Sequence, residues 1–235
     1  MESVYYTDVG GRNVNEDTVA FVPIEQGFCA LVADGLGGQG NGDTASRTAA
    51  GCVTDAFRAA PSCAPEDIRR YYKNANDAVL AINGGQQNTM TTMVGLFCTP
   101  QGITYAHVGD SRLYHFYNGM IVERTIDHSV PQVAVALGEI TEAEIRHHPD
   151  RNRILRAIGS APELKTETHT VALQPGFHAF LLCSDGFWEY VLETEMEIDL
   201  AKSETAEQWL DLMRRRRDSR APADGDNNTA IAIFM

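Results

Sequence analysis

Four aspartates stand where buried strands should end. "FCALVADG" stops at Asp34-Gly35, "AFLLCSDG" stops at Asp185-Gly186, "AHVGDSR" places Asp110 after Gly109, and Asp226 in "DGDNNTAIAIF" comes just before an apolar run. A carboxylate at the end of a buried strand is costly unless it is paired or bound to a metal. A single Asp-Gly reads as a turn. Four such acids, with "NED" at 15–17, predict a shared metal site. The glycines let the backbone turn sharply and approach an ion. Oxygen donors without Cys or His ligand spacing predict Mg²⁺ or Mn²⁺ rather than zinc.

Other motifs compete for the same letters. Gly35-Leu36-Gly37-Gly38-Gln39-Gly40 satisfies G-x-G-x-x-G, with Asp55 downstream at the distance of a ribose-binding acid. Asp34, directly before the first glycine, would repel a pyrophosphate and speaks against that reading. Cys52-x₅-Arg58 has the spacing of a cysteine-dependent phosphatase loop but lacks glycine, lies in a helical run and includes Asp55, so Cys52 reads as a core residue. "DGDNNT" lacks the glycine and terminal glutamate of an EF-hand. His147 and His148 read as exposed, Trp188 as packing, and Arg214 to Arg217 as a solvated helix C-terminus favoured by its dipole.

The 235 residues carry a formal charge of −13. That excess of acid opposes general affinity for nucleic acid or an anionic membrane surface, and it supplies ligands for hard cations. Five scattered cysteines, odd in number and without a C-x-x-C pair, suit reduced thiols in the cytoplasm. The start "MESVYYTDVGG" has neither a basic nor an apolar segment, so no export signal is expected. No apolar run approaches membrane-spanning length, and a soluble chain is expected.

Positioning these acids falls to short β-type runs: "TVAFVPI", "GFCALVAD", "TTMVGLFC", "GITYAHVGD", "RLYHFYNGMIVERT", "THTVAL", "HAFLLCSD" and "TAIAIFM". Asn118-Gly119 predicts a hairpin. Helical spacing appears at about 43–60, 65–83 and 203–217. Clustered strands with a few long helices predict sheets covered by helices rather than alternating βαβ units. Residues 128–152, polar with a short helix signal at "TEAEIRHH", read as a mobile excursion near the site. The last strand reaches the final residue, so no tail or second domain is expected.

In order along the chain, "GGRNVNED", "VADGLGGQGNGDTAS", "TTMVG", "AHVGDSRLY", "DHS", "RNRILRAIG", "LLCSDGFWE" and "GDNNTAI" span nearly all of it. The ordered set resembles the metal-dependent Ser/Thr protein phosphatases of type 2C, the PPM family, and especially their compact bacterial members. The resemblance implies an α+β fold, an αββα sandwich of two antiparallel sheets between helices, as a single catalytic domain over 1–235 with a flap at about 128–152. It implies that Asp34 bridges two metal ions, with the carbonyl of Gly35 completing one, and that Asp185 and Asp226 hold the other. Glu16 and Asp17 would act through metal-bound waters, Asn227 would orient the Asp226 loop, and Arg12 would bind the substrate phosphate. Bacterial members often hold a third ion, for which Asp110 and Asp185 are the matching positions.

Two ions roughly 3.5–4 Å apart can share a water, bring its pKa to about 7 and present hydroxide in line with phosphorus. Asp34, Asp185, Asp226 and that hydroxide offset the ions' charge, which leaves the phosphoester to pair with Arg12. The expected activity is direct hydrolysis of phosphoserine and phosphothreonine in phosphorylated proteins, with Mn²⁺ or Mg²⁺ and no phosphoenzyme. A Ser/Thr kinase is the expected counterpart and a monomer the expected state. The rival is a catalytically weak pseudophosphatase that binds metal or phosphoprotein. Animal members carry a histidine directly after the first Asp-Gly. Here Leu36 stands there, so the leaving group's proton has another source, for which a metal-bound water is the expectation. His128, after Asp127 in a family motif, reads as structural.

Overall fold

β-branched and aromatic runs too short for helices pair into sheets when both of their faces can be buried. The computed structural model describes residues 1–37, 41–83 and 89–235. Its strands are β1 (Glu2–Asp8), β2 (Thr18–Ile24), β3 (Gly27–Ala33), β4 (Gly35–Leu36), β5 (Met90–Thr91) and β6 (Met93–Thr99). They continue as β7 (Gly102–Val108), β8 (Arg112–Tyr117), β9 (Met120–Arg124), β10 (Glu167–Val171), β11 (His178–Cys183) and β12 (Asn228–Phe234). Two antiparallel five-stranded sheets result, ordered β1-β12-β11-β8-β9 and β10-β7-β6-β3-β2, beside a short β4-β5 pair. Asn118 (φ 48°) and Gly119 (φ 89°) both take the left-handed conformation that the β8–β9 hairpin turn needs.

Helices α1 (Gly42–Ala59) and α2 (Pro65–Asn83) cover the outer face of one sheet. The other is covered by α4 (Asp185–Trp188), α5 (Glu193–Ala201) and α6 (Ala206–Arg220); between these groups in sequence lies α3 (Val130–Ala136). The expected αββα sandwich is thus the observed one. On α1, Ala45, Ala49, Val53 and Phe57 recur at helical spacing and are fully buried against the sheet. Pro65 begins α2, and Glu66 and Asp67 suit the positive end of its dipole.

Alternation within each strand serves three apolar layers. Phe28, Ala30 and Val32 of β3 point between the sheets, while Cys29, Leu31 and Ala33 point toward α1 and α2. In β11, Phe180 and Leu182 point between the sheets and Ala179, Leu181 and Cys183 toward α5 and α6. Antiparallel sheets often wet one face; here both faces are covered, which is why the strands read as continuous apolar runs.

Some elements differ from expectation. Strand β1 and helices α3 and α5 were not expected, and the helix expected at 203–217 starts after Thr205, whose side chain accepts from Gln208 N at 3.2 Å. "TEAEIRHH" forms a 3₁₀ turn over Glu142–His147 instead of an α-helix. The excursion containing it is anchored: Ile145 is buried, and Arg146 donates to the carbonyls of Trp188 and Val191 and to Glu193. No helix among the described residues is long and apolar enough to cross a membrane.

Candidate metal centre

The ends of β3, β7 and β11 and the starts of β2 and β12 meet at one end of the sandwich, which brings together Asp34, Asp110, Asp185, Asp17 and Asp226. Backbone contacts aim Asp34. Its carbonyl accepts from Thr92 N at 2.8 Å and Thr91 Oγ1 at 2.7 Å, and its N–H donates to Thr92 Oγ1 at 3.2 Å. Gly35 N donates to the Glu16 carbonyl at 3.2 Å. A side chain at Gly35 would fall 2.2 Å from the Gly42 carbonyl oxygen, so only glycine fits. Gly186 is equally constrained, since a Cβ there would lie 2.1 Å from the Asn227 carbonyl oxygen.

A cavity of about 390 Å³ opens on Asp34, Gly35, Asp185, Asp226, Glu16 and Asn227. Arg12, Leu36, Asn152 and Ile154 complete much of its wall, Asn152 from the flap's end and Ile154 from just beyond it. Among the described residues lining it, Arg12 carries the only positive charge. Asp110 and Asp17 lie deeper, 3% and 8% exposed. Glu16 Oε1 accepts from Gly42 N at 3.1 Å, tying the acid to the start of α1.

These carboxylates are destabilised as anions. Burial, then the charges of Asp17, Asp185 and Asp110, pushes the Asp34 carboxyl well above the usual range. Burial and Asp185 do the same to Asp110; burial and Asp226 raise Asp185. Asp17 is pushed up to about 7, chiefly by burial, although Ser184 Oγ donates to its Oδ2 at 2.8 Å. Buried Oδ1 atoms of Asp17, Asp110 and Asp185 accept no hydrogen bond. Clustered, unpartnered oxygens of this kind fit hard divalent cations, which restore the anions that burial disfavours.

Arg12 reaches Asp226 through two bonds, Nε to Oδ1 at 3.0 Å and Nη2 to Oδ2 at 2.8 Å. Asn227 staples the segment between them: its Oδ1 accepts from Glu16 N at 2.8 Å, and its Nδ2 donates to the carbonyls of Val9 and Val14 at 2.8 and 3.0 Å.

The arginine run needs a correction. Arg217 is buried rather than solvated: it donates from Nε to the Gly186 carbonyl at 3.1 Å and from Nη2 to the Asp226 carbonyl at 3.2 Å. One side chain therefore braces both loops that carry Asp185 and Asp226. Its signal was in the spacing, since Trp209, Leu210, Met213 and Arg217 share the buried face of α6. Of its neighbours, Arg216 pairs with Asp199 and Glu195, and Arg214 lies over Tyr6. A second missed frame is Arg112, buried, forked onto Asp127 at 2.9 and 2.7 Å and stacked 3.4 Å from the Trp188 ring centroid. Trp188 is a packing residue as read, and its Nε1 donates to the Asp110 carbonyl at 3.0 Å.

The competing motifs fall away. Asp55 points into solvent on α1 and pairs with Arg58 at 3.1 Å, so neither serves a ribose or a cysteine loop. Burial and Asp55 raise the Cys52 thiol, the opposite of a nucleophile. Gly38, Gln39 and Gly40 lie outside the described residues. His147 is exposed, and His148 Nδ1 accepts from Asp150 N. His128 is not among the residues lining the cavity and clamps Gly109, its Nδ1 accepting from Gly109 N at 3.1 Å and its backbone N–H donating to the Gly109 carbonyl at 2.9 Å.

Residues 11–224 match the model of a family described as protein phosphatase 2C. The chain is 30% identical to a serine/threonine phosphatase of Listeria monocytogenes, over 99% of this chain and 95% of that one. Among solved structures, a serine/threonine phosphatase of Staphylococcus aureus superposes with a TM-score of 0.89 at 28% identity, covering 100% of this chain and 94% of that one. A PPM Ser-Thr phosphatase of Mycobacterium smegmatis, in complex with cacodylate, gives 0.84 at 29% identity, covering 99% and 97%.

Proposed function

The chain belongs to the protein phosphatase 2C family and is a serine/threonine phosphatase, and on that premise we propose which residues carry the reaction. Asp34, Asp185 and Asp226, with the Gly35 carbonyl, hold two divalent ions, and Asp110 with Asp185 offers a third position. The carrying observation is the set of buried, mutually repelling carboxylates that meet at one cavity with a single guanidinium on its wall. Oxygen-only donors favour Mn²⁺ or Mg²⁺. When bound, such ions supply a water activated near neutral pH and offset the charge of the phosphate.

Arg12 forks two phosphate oxygens with the same Nε and Nη2 that now contact Asp226, and so orients the phosphoester within the cavity. Asn227 holds Arg12's segment and Glu16 against the Asp226 loop. Glu16 and Asp17 would act on the ions through water, with Asp17 held by the Ser184 hydroxyl. Asn152 and Ile154 form the wall against which the residues flanking the phosphorylated side chain rest. Leu36 contributes no proton at the family's histidine position.

Residues 1–235 act as one catalytic domain on phosphorylated proteins, opposing a Ser/Thr kinase, as a cytoplasmic monomer. Its five unpaired cysteines support that location. Mn²⁺-dependent hydrolysis of p-nitrophenyl phosphate and a phosphothreonine peptide, abolished by chelator and by Asp34→Asn, is the expected result. Undiminished turnover in folded Asp34→Asn protein would overturn the ligand assignment.

A further inference from the structure

Where β8, β9 and β10 come together, two buried acceptors face each other. The chain of hydrogen bonds fixes which atoms they are. His178 contacts the Gln174 carbonyl through Nε2 at 2.8 Å, and a carbonyl only accepts, so Nε2 carries the proton. With its proton on Nε2, His178 accepts at Nδ1 from His115 Nε2–H, 2.9 Å away. That leaves His115 Nδ1 as a bare lone pair, in a residue 4% exposed and with no hydrogen-bond partner at that atom. Opposite, 3.7 Å away, stands Glu123 Oε2, likewise buried and unpartnered. Facing lone pairs on two buried atoms repel each other unless a cation joins them. The other oxygen of Glu123 lies 3.0 Å from Nε2 of His169, a residue of the opposite sheet.

We propose that His115 Nδ1, Glu123 and His169 bind a divalent cation of the zinc class, at a site separate from the oxygen-lined active centre. Two imidazoles and a carboxylate are a common zinc donor set, with water left to complete a tetrahedron. Two donors on one tetrahedral ion stand about 3.3–3.6 Å apart, so the 3.7 Å gap needs only a small closure. His169, stacked on Tyr105 and already against Glu123, must shift toward His115 Nδ1 to complete the set, because the three donors do not yet lie within 4.8 Å of one another.

The buried part is already organised. The His115 ring stacks on Phe180 at 4.5 Å and 9°, and its second nitrogen is held by His178, the arrangement that orients metal-bound histidines. A second cluster, His107, His128 and Glu167, brings its donors within 4.8 Å of one another. There Gly109 N–H occupies His128 Nδ1, so His128 Nε2 holds the proton, directed at Glu167 3.3 Å away, and has no lone pair for an ion. The proposed ion would pin β9 of one sheet to β10 of the other.

The test is calorimetric titration of Zn²⁺ into protein whose active centre is saturated with Mg²⁺. One zinc per chain beyond any taken up by the active centre is expected, with affinity at that added site falling at least about tenfold in Glu123→Gln and in the surface variant His169→Ala. Co²⁺ in place of zinc should give visible ligand-field absorption in the wild type and not in the variants. Both variants should hydrolyse p-nitrophenyl phosphate with Mn²⁺ as the wild type does, so failure of the site is distinct from failure of the enzyme. Equal zinc affinity in the wild type and both folded variants, or no zinc bound beyond the active centre, would overturn the proposal.

Discussion

Arg12 and Asp226 grip each other by two parallel hydrogen bonds at the mouth of the acidic cavity, 3.0 and 2.8 Å long, with both side chains about half exposed. Each is assigned another partner, the phosphate for Arg12 and a metal ion for Asp226. The pair is therefore a competitor for both ligands. Arg12→Ala should bind Mn²⁺ a few-fold more tightly while kcat/KM falls about 10- to 100-fold. Arg12→Lys should not restore kcat/KM, because an ammonium lacks the planar fork. Mn²⁺ titration followed by tryptophan fluorescence, beside steady-state kinetics, separates the two effects. Metal affinity that falls together with activity contradicts the competition.

Asp17 sets a pH dependence of unusual sign. Its folded-state pKa of about 7 lies above the usual 3.8, so the folded state favours the protonated form. The stability this contributes is complete below the unfolded pKa and is lost as pH rises through about 7. In metal-free protein, the stability of wild type relative to Asp17→Asn should fall by on the order of 1–2 kcal/mol between about pH 5.5 and about pH 8. Urea unfolding at the two pH values measures it. The comparison with Asp17→Asn removes the opposing effect of His128, whose pKa burial lowers to about 4.

Arg217 should matter to catalysis without touching substrate. Arg217→Met strips the Gly186 carbonyl of its Arg217 donor, at about 1–3 kcal/mol for a buried acceptor left bare, and leaves the Asp226 carbonyl with only the 3.5 Å contact from Asn228 Nδ2. We expect kcat to drop at least about tenfold and Arg217→Lys, able to reach one carbonyl, to recover part of it. Full activity in folded Arg217→Met protein would show that the loops hold themselves.

Two glycines make opposite predictions for one substitution. Gly186→Ala drives a methyl against the Asn227 carbonyl and should cost about 3 kcal/mol or more, with loss of activity. Gly51→Ala, within α1 and with open space around it, should stabilise by about 0.5–1 kcal/mol. Thermal midpoints of the pair should move in opposite directions.

The acids of the site were readable because each ends or begins a run that is apolar on both faces, a place where a charge demands a reason. Strand β1 was not, since it is a sheet edge with Tyr5 in solvent and no continuous apolar signal. Arg217 sits among like neighbours, and only its helical phase with Trp209 and Met213 tells it apart. Arg112 and Asp127 could not be paired from sequence, because their bond depends on how β8 meets the segment leading into the flap. The β1, Arg217 and Arg112 omissions share one origin: their partners are fixed by tertiary packing rather than by local pattern.

A strand that is apolar on both faces has little to stop it sliding. If β3 slipped by one residue, Phe28, Ala30 and Val32 would trade places with Cys29, Leu31 and Ala33, and hydrophobicity would hardly register the exchange. The bonds from Thr91 and Thr92 to the backbone of Asp34 do register it, because they exist at one alignment only. The contacts that aim the Asp34 carboxylate thus also index β3 within its sheet, and correct pairing of β3 with its neighbours and assembly of the acidic centre become a single event.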